Sequence, residues 1–118
     1  MIKVYFSPTI YKSANKLIEH AKNNLSKSAF PPRNFCKTEM GIITLLREGE
    51  DYPMHDDSGG KINKVTFLNN NGGMRFEELD VKAFTGLTME FKTEEKHQPY
   101  TLKGDRWALL QRYEQSKS

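Results

Sequence analysis

The sequence predicts an α+β fold of the ferredoxin-like, split βαβ kind: β-α-β-β-α-β, an antiparallel sheet with its helices on one face, plus a C-terminal helix or strand. Three observations lead there. An alternating apolar segment at the start runs straight into a long amphipathic stretch. Three later segments have the length and composition of strands, and residues 75–85 carry apolar side chains at helical spacing. In 118 residues the expectation is a single α+β domain over 1–113 with a frayed polar tail over 114–118.

Ile2, Val4 and Phe6 alternate with Lys3 and Tyr5, the period of a strand with one buried face. Ser7-Pro8-Thr9 starts a helix: Ser7 or Thr9 is the cap, and Pro8 falls where its missing N–H costs nothing. Ile10, Ala14, Leu17, Ile18, Ala21 and Leu25 then form a continuous apolar stripe at the helical period. Phe30-Pro31-Pro32 cannot continue a helix, so residues 26–38 read as a connection. Gly41 to Leu46 is β-branched and apolar on both faces, as a covered strand is, while Glu48 to Gly60 is acidic and turn-rich and reads as an exposed loop. Ile62 to Leu68 is a third strand and Asn69 to Gly73 a turn. Phe76, Leu79, Ala83 and Phe84 favour a helix closed by Gly86. The competing reading is a hairpin in which Thr85-Gly86 turns Val81–Phe84 into Leu87–Phe91. Leu87, Met89 and Phe91 alternate as a fourth strand, Lys92 to Gln98 is a charged connector, and Asp105 caps a last helix through Tyr113.

The chain is 36% hydrophobic and 28% charged, polar but with enough apolar and aromatic residues to fold. No apolar run approaches the ~18 residues of a membrane span, and the N-terminus lacks a signal-peptide layout. A cytoplasmic location with no membrane partner is expected. The single Cys36 excludes an internal disulfide framework and a cysteine-based zinc site. Charge is unevenly placed: residues 1–38 carry seven Lys or Arg against Glu19 alone, and residues 39–60 carry six acids against Arg47 alone. Such asymmetry bears on partners rather than on fold.

The expected element order is similar to that of the RNA-recognition motif family, whose central strands present aromatic rings to bases. Tyr5 is the one aromatic residue expected on the open face here, and the glycine–aromatic consensus of that family is absent. The likeness is one of topology, which does not fix function.

Charge and exposure supply the remaining candidates. Lys3, Lys12, Lys16, Lys22 and Arg33 form a candidate polyanion-binding set for weak, sequence-indifferent contact with RNA or DNA, although a solvated helix face explains the same lysines. Tyr5, Glu48, Glu50, Asp51 and Trp107 are candidate partner-binding residues, although a lone tryptophan such as Trp107 is more often a core plug than a hot spot. His55 beside Asp56 and Asp57 is a weak catalytic candidate, His55 as the base of a small hydrolase or nuclease and an aspartate orienting it or holding a metal. His97 reads as part of the polar connector. The acidic loop lacks the ligand pattern of an EF-hand, and no nucleotide-binding glycine loop, HExxH or GxSxG motif occurs. No metal, cofactor or small-molecule partner is therefore expected. The resulting reading is a small non-enzymatic accessory protein that contacts a protein partner, or a second copy of itself, through its surface. A nucleic-acid-binding module is the first alternative and the hydrolase or nuclease the second.

Overall fold

A computed structural model describes residues 1–115. Its elements are β1 (Lys3–Phe6), α1 (Pro8–Lys22), β2 (Ser26–Lys27), β3 (Asn34–Lys37), β4 (Ile42–Leu46), β5 (Lys61–Phe67), β6 (Gly73–Phe76), β7 (Asp80–Lys82), β8 (Leu87–Lys92), β9 (His97–Tyr100) and β10 (Arg106–Glu114). Neighbouring strands all run antiparallel. A larger sheet has the order β1-β8-β5-β10-β4-β3-β2, and a smaller one the order β7-β6-β9.

Val65, Phe67, Met89, Phe91 and Ala108 of the larger sheet share one core with Met74, Phe76 and Val81 of the smaller, so the two sheets form a sandwich of the jelly-roll kind. α1 covers the outer face of the larger sheet, where Ile10, Ala14 and Ala21 pack with Ile43, Leu45, Trp107 and Leu109. The ferredoxin-like expectation, and with it the α+β class, is corrected: the described residues are mainly β with one helix.

α1 forms where the apolar stripe places it, with Pro8 in its first turn and Ser7 at the cap position, although the Ser7 side chain makes no capping hydrogen bond. β4, β5 and β8 also occupy the expected segments. Trp107-Ala108-Leu109-Leu110 is apolar on both sides because β10 is covered on both, Trp107 and Leu109 by α1 and Ala108 and Leu110 by the smaller sheet. A strand of that kind lacks the alternation that separates it from a helix. Between residues 75 and 85, β6 and β7 make a hairpin that buries Phe76 and Val81 and exposes Leu79 and Phe84, two members of the supposed helical stripe. The competing hairpin is absent too, since β7 pairs with β6 while β8 pairs with β1 and β5. The connection over 26–38 holds β2 and β3, and the charged connector leads into β9 at His97. β1 is a sheet edge with all four residues exposed, so Val4 and Phe6 are not core. Of the expected polar tail, Glu114 belongs to β10 and residues 116–118 lie outside the described residues. Among the described residues no helix is long and apolar enough to cross a membrane.

Gly73 lies in β6 between β7 and β9, where a Cβ would press on the Val81 carbonyl and stand 2.7 Å from the Tyr100 hydroxyl. Gly73→Ala is expected to destabilise the protein by about 1–3 kcal/mol through overpacking. The measurement is a lowered urea midpoint at unchanged slope; a wild-type midpoint would show that the small sheet absorbs the methyl group.

Candidate metal centre

A cavity of about 330 Å³ opens between the two sheets, a size that holds a small ligand. β10 lines it with Arg106, Ala108, Leu110 and Arg112, the alternate residues of one extended strand. The segment preceding β5 joins the cavity by a short pairing with β9. The His55 N–H donates to the His97 carbonyl at 2.9 Å, the His97 N–H to the His55 carbonyl at 2.8 Å, and the Asp57 N–H to the Thr93 carbonyl at 2.7 Å. On extended backbone residues i and i+2 project to the same side. His55 and Asp57 therefore face His97 together, while Asp56 stays exposed and outside the cluster.

His55 Nε2 lies 3.7 Å from Asp57 Oδ1, and His97 Nε2 lies 3.3 Å from Asp57 Oδ2. One potential ligand atom from each of the three lies within 4.8 Å of the others. Ligands about 2.1 Å from an ion and at right angles stand about 3 Å apart, so small inward shifts would seat a metal. The rings are already oriented for it. Each Nδ1 faces a backbone carbonyl, His55 toward Pro53 at 2.8 Å and His97 toward Glu95 at 2.7 Å. A carbonyl only accepts, so Nδ1 carries the proton and Nε2 turns its lone pair to the cluster. Packing fixes the planes: the His97 ring lies 4.8 Å from Phe91 and 4.3 Å from His55, and Tyr52 lies 4.9 Å from His55 on centroids.

Asp57 stays ionised far into acid. Its contact with the His97 ring lowers its carboxyl most. Burial opposes this, and the Asn63 hydrogen bond and the Arg112 charge add to the lowering, leaving it well below the usual carboxylate range. A proton and a divalent ion compete for that place between imidazole and carboxylate.

Arg106 supplies the other end of the cavity. It is 2% exposed, its Nε donates to the Gly73 carbonyl at 3.0 Å, its guanidinium stands 5.2 Å from the Phe67 ring centroid, and its Nη2 has no hydrogen-bond partner among the described residues. Burial lowers its pKa to about 10, which leaves it cationic at neutral pH. A buried cation with a free N–H is unfavourable until an anion meets it, and the planar fork suits a carboxylate.

The other candidates lie apart. Lys12, Lys16 and Lys22 are on the exposed side of α1, Lys22 is 3.4 Å from Glu19, and Lys3 is on the edge strand. Arg33 lines the cavity on the opposite side of the larger sheet from α1, so no one surface gathers the basic set. Tyr5 donates to Glu90, Glu48 accepts from the Gly104 N–H, Glu50 accepts from the Arg47 N–H, and Asp51 is exposed at the cavity. Trp107 is buried beneath α1. The residues missed from sequence were His97, Asn63, Arg106, Arg112 and Tyr52. The available signal was the His55-x-Asp57 alternation, which on a strand aims two ligands one way.

Tyr100, at the end of β9, donates to Asp80 at 2.7 Å. Burial first, and that hydrogen bond next, push its pKa to about 12. An unfolded tyrosine ionises near 10. Between those values the folded chain holds more protons, so stability is expected to fall as pH rises from about 10 to about 12. Urea midpoints across that window should fall less steeply in Tyr100→Phe; equal slopes would show that Tyr100 ionises alike folded and unfolded.

No family model matches the chain, and no curated protein matches it. Among solved structures it is similar to the crystal structure of a viral collagen prolyl hydroxylase from Paramecium bursaria Chlorella virus 1 in complex with 2-oxoglutarate. The TM-score is 0.69 at 11% sequence identity, over 94% of this chain and 93% of that one. At that identity the likeness is one of fold. It agrees with the sandwich and opposes the ferredoxin-like arrangement. Together with the clustered His55, Asp57 and His97, it overturns the reading as a non-enzymatic binder of protein or nucleic acid, and the expectation that no small molecule binds. Of the weak catalytic candidates, His55 and Asp57 come together in the three-residue donor set and Asp56 stays outside it.

Proposed function

We propose that this protein is an oxygenase that binds Fe(II) through His55, Asp57 and His97 and takes 2-oxoglutarate as its co-substrate. The observation that carries this reading is the pairing, in one cavity, of two imidazoles with inward Nε2 atoms and a carboxylate with a buried guanidinium that has a free N–H. Two histidines and one carboxylate on one face of an octahedron are the donor set of non-haem Fe(II) oxygenases, with the opposite face open to substrates. When bound, the ion with 2-oxoglutarate and dioxygen supplies oxidation of a C–H bond coupled to decarboxylation of the oxo acid.

The chain's own residues do the rest. The Glu95 and Pro53 carbonyls hold both imidazoles in the ligating tautomer. Arg106 receives the carboxylate remote from the oxo group and so fixes the length and direction of the co-substrate. Val65, Met74, Ala108 and Leu110 wall the cavity with apolar surface, which strengthens that ion pair by keeping water away. The test is anaerobic titration of the purified protein with Fe(II) and 2-oxoglutarate. A visible charge-transfer absorption is expected only when both are present. Absence of metal binding by calorimetry would overturn the proposal.

A further inference from the structure

We propose that Arg112, acting with Asn63, is a positioning residue that restricts the Asp57 carboxylate to a single ligating oxygen, an inference that rests on the metal site proposed above. Asn63 and Arg112 stand opposite one another in the β5–β10 ladder, so the register of the sheet brings their side chains together. Arg112 Nε donates to Asn63 Oδ1 at 2.7 Å, and Arg112 Nη2 lies 3.1 Å from Asp57 Oδ2. Asn63 Nδ2 donates to that same oxygen at 3.0 Å. The three contacts close a ring that admits one orientation of the Asn63 amide. Its oxygen faces a guanidinium, which only donates, and its nitrogen faces a carboxylate, which only accepts.

The consequence falls on Asp57. Oδ2 is engaged by Asn63 and Arg112 and also lies 3.3 Å from His97 Nε2, whereas Oδ1, 3.7 Å from His55 Nε2, accepts no hydrogen bond among the described residues. Oδ1 is thus the oxygen free to ligate. A carboxylate held this way grips through one atom and leaves open a position that a two-oxygen grip would close. Arg112 suits the task because its fork reaches Asn63 and Asp57 at once, which a lysine point charge does not. The Arg112 side chain is 43% exposed, so its ion pair contributes little to folding. Its removal therefore tests ligand geometry without unfolding the chain.

Co(II) is the probe, since its visible spectrum reports coordination. In Arg112→Met, Co(II) affinity is expected to fall by about 10–100-fold, the usual effect of removing an outer-shell partner. The spectrum should change while the metal-free melting temperature stays near that of the wild type. Arg112→Lys should recover part of the affinity and keep the altered spectrum. A wild-type spectrum in either variant, whatever its affinity, would overturn the inference while leaving the metal site standing. Failure of the wild-type protein to bind Co(II) would overturn both.

Discussion

His97→Phe is expected to abolish metal binding while preserving the fold. A phenyl ring fills the space of the imidazole between Phe91 and His55, where the present ring has centroid separations of 4.8 and 4.3 Å. The backbone pairing of residue 97 with His55 does not depend on the side chain. What disappears is one lone pair aimed at the cluster and the N–H donated to the Glu95 carbonyl. Loss of a direct ligand should exceed the roughly 10–100-fold effect typical of an outer-shell change. Melting gives a second measure. An ion at a hundred times its Kd stabilises the folded form by about 2.7 kcal/mol, so the wild-type protein should melt measurably higher with Fe(II) or Mn(II) present. The variant should show no such shift. A full metal-induced shift in His97→Phe would remove His97 from the ligand set and the proposed function with it.

Arg106→Met is expected to separate stability from binding in the opposite sense. The guanidinium is 2% exposed and holds one carbonyl, with Nη2 unpartnered, so it opposes folding in the absence of an anion. A methionine of similar reach removes that penalty and packs on Phe67. The metal-free variant should match or exceed the wild type in urea midpoint. Its affinity for 2-oxoglutarate should collapse: two charge-assisted hydrogen bonds at about 1.5–3 kcal/mol each correspond to roughly two to four orders of magnitude. Calorimetry with the Mn(II)-loaded protein reads the loss. Unchanged affinity would show that the co-substrate does not reach Arg106. The pair of outcomes expected here is the signature of a residue retained for its ligand at the expense of stability.

How much of this was legible in the sequence depends on how far apart the interacting residues lie. α1 announced itself because its pattern is local: one stripe from Ile10 to Leu25 and a proline in the first turn. β4, β5 and β8 were visible as short apolar segments. β10 was hidden because helix and sheet cover opposite sides of it, which erases the two-residue period. β6 and β7 were hidden because Phe76, Leu79, Ala83 and Phe84 mimic a helical face, although only Phe76 among them is core. The site was half visible. His55 and Asp57 are two residues apart, and their shared direction follows from extended backbone alone. His97 joins them only through an antiparallel bridge across a long stretch of chain, and Arg106 only through the cavity face of β10. Contacts of that range leave no periodic trace in a single sequence.

The alternation along β10 carries a consequence for how the chain reaches its native state. Arg106 and Arg112 share a side with Ala108 and Leu110, and the opposite side carries Trp107 and Leu109. A slip of one position against β4 or β5 would send the Arg106 guanidinium beneath α1 and push the indole into the cavity. Such a misaligned intermediate gains little from collapse, because it strands an unpaired cation among apolar side chains. The buried charge of Arg106 thus acts as a proofreading device during assembly.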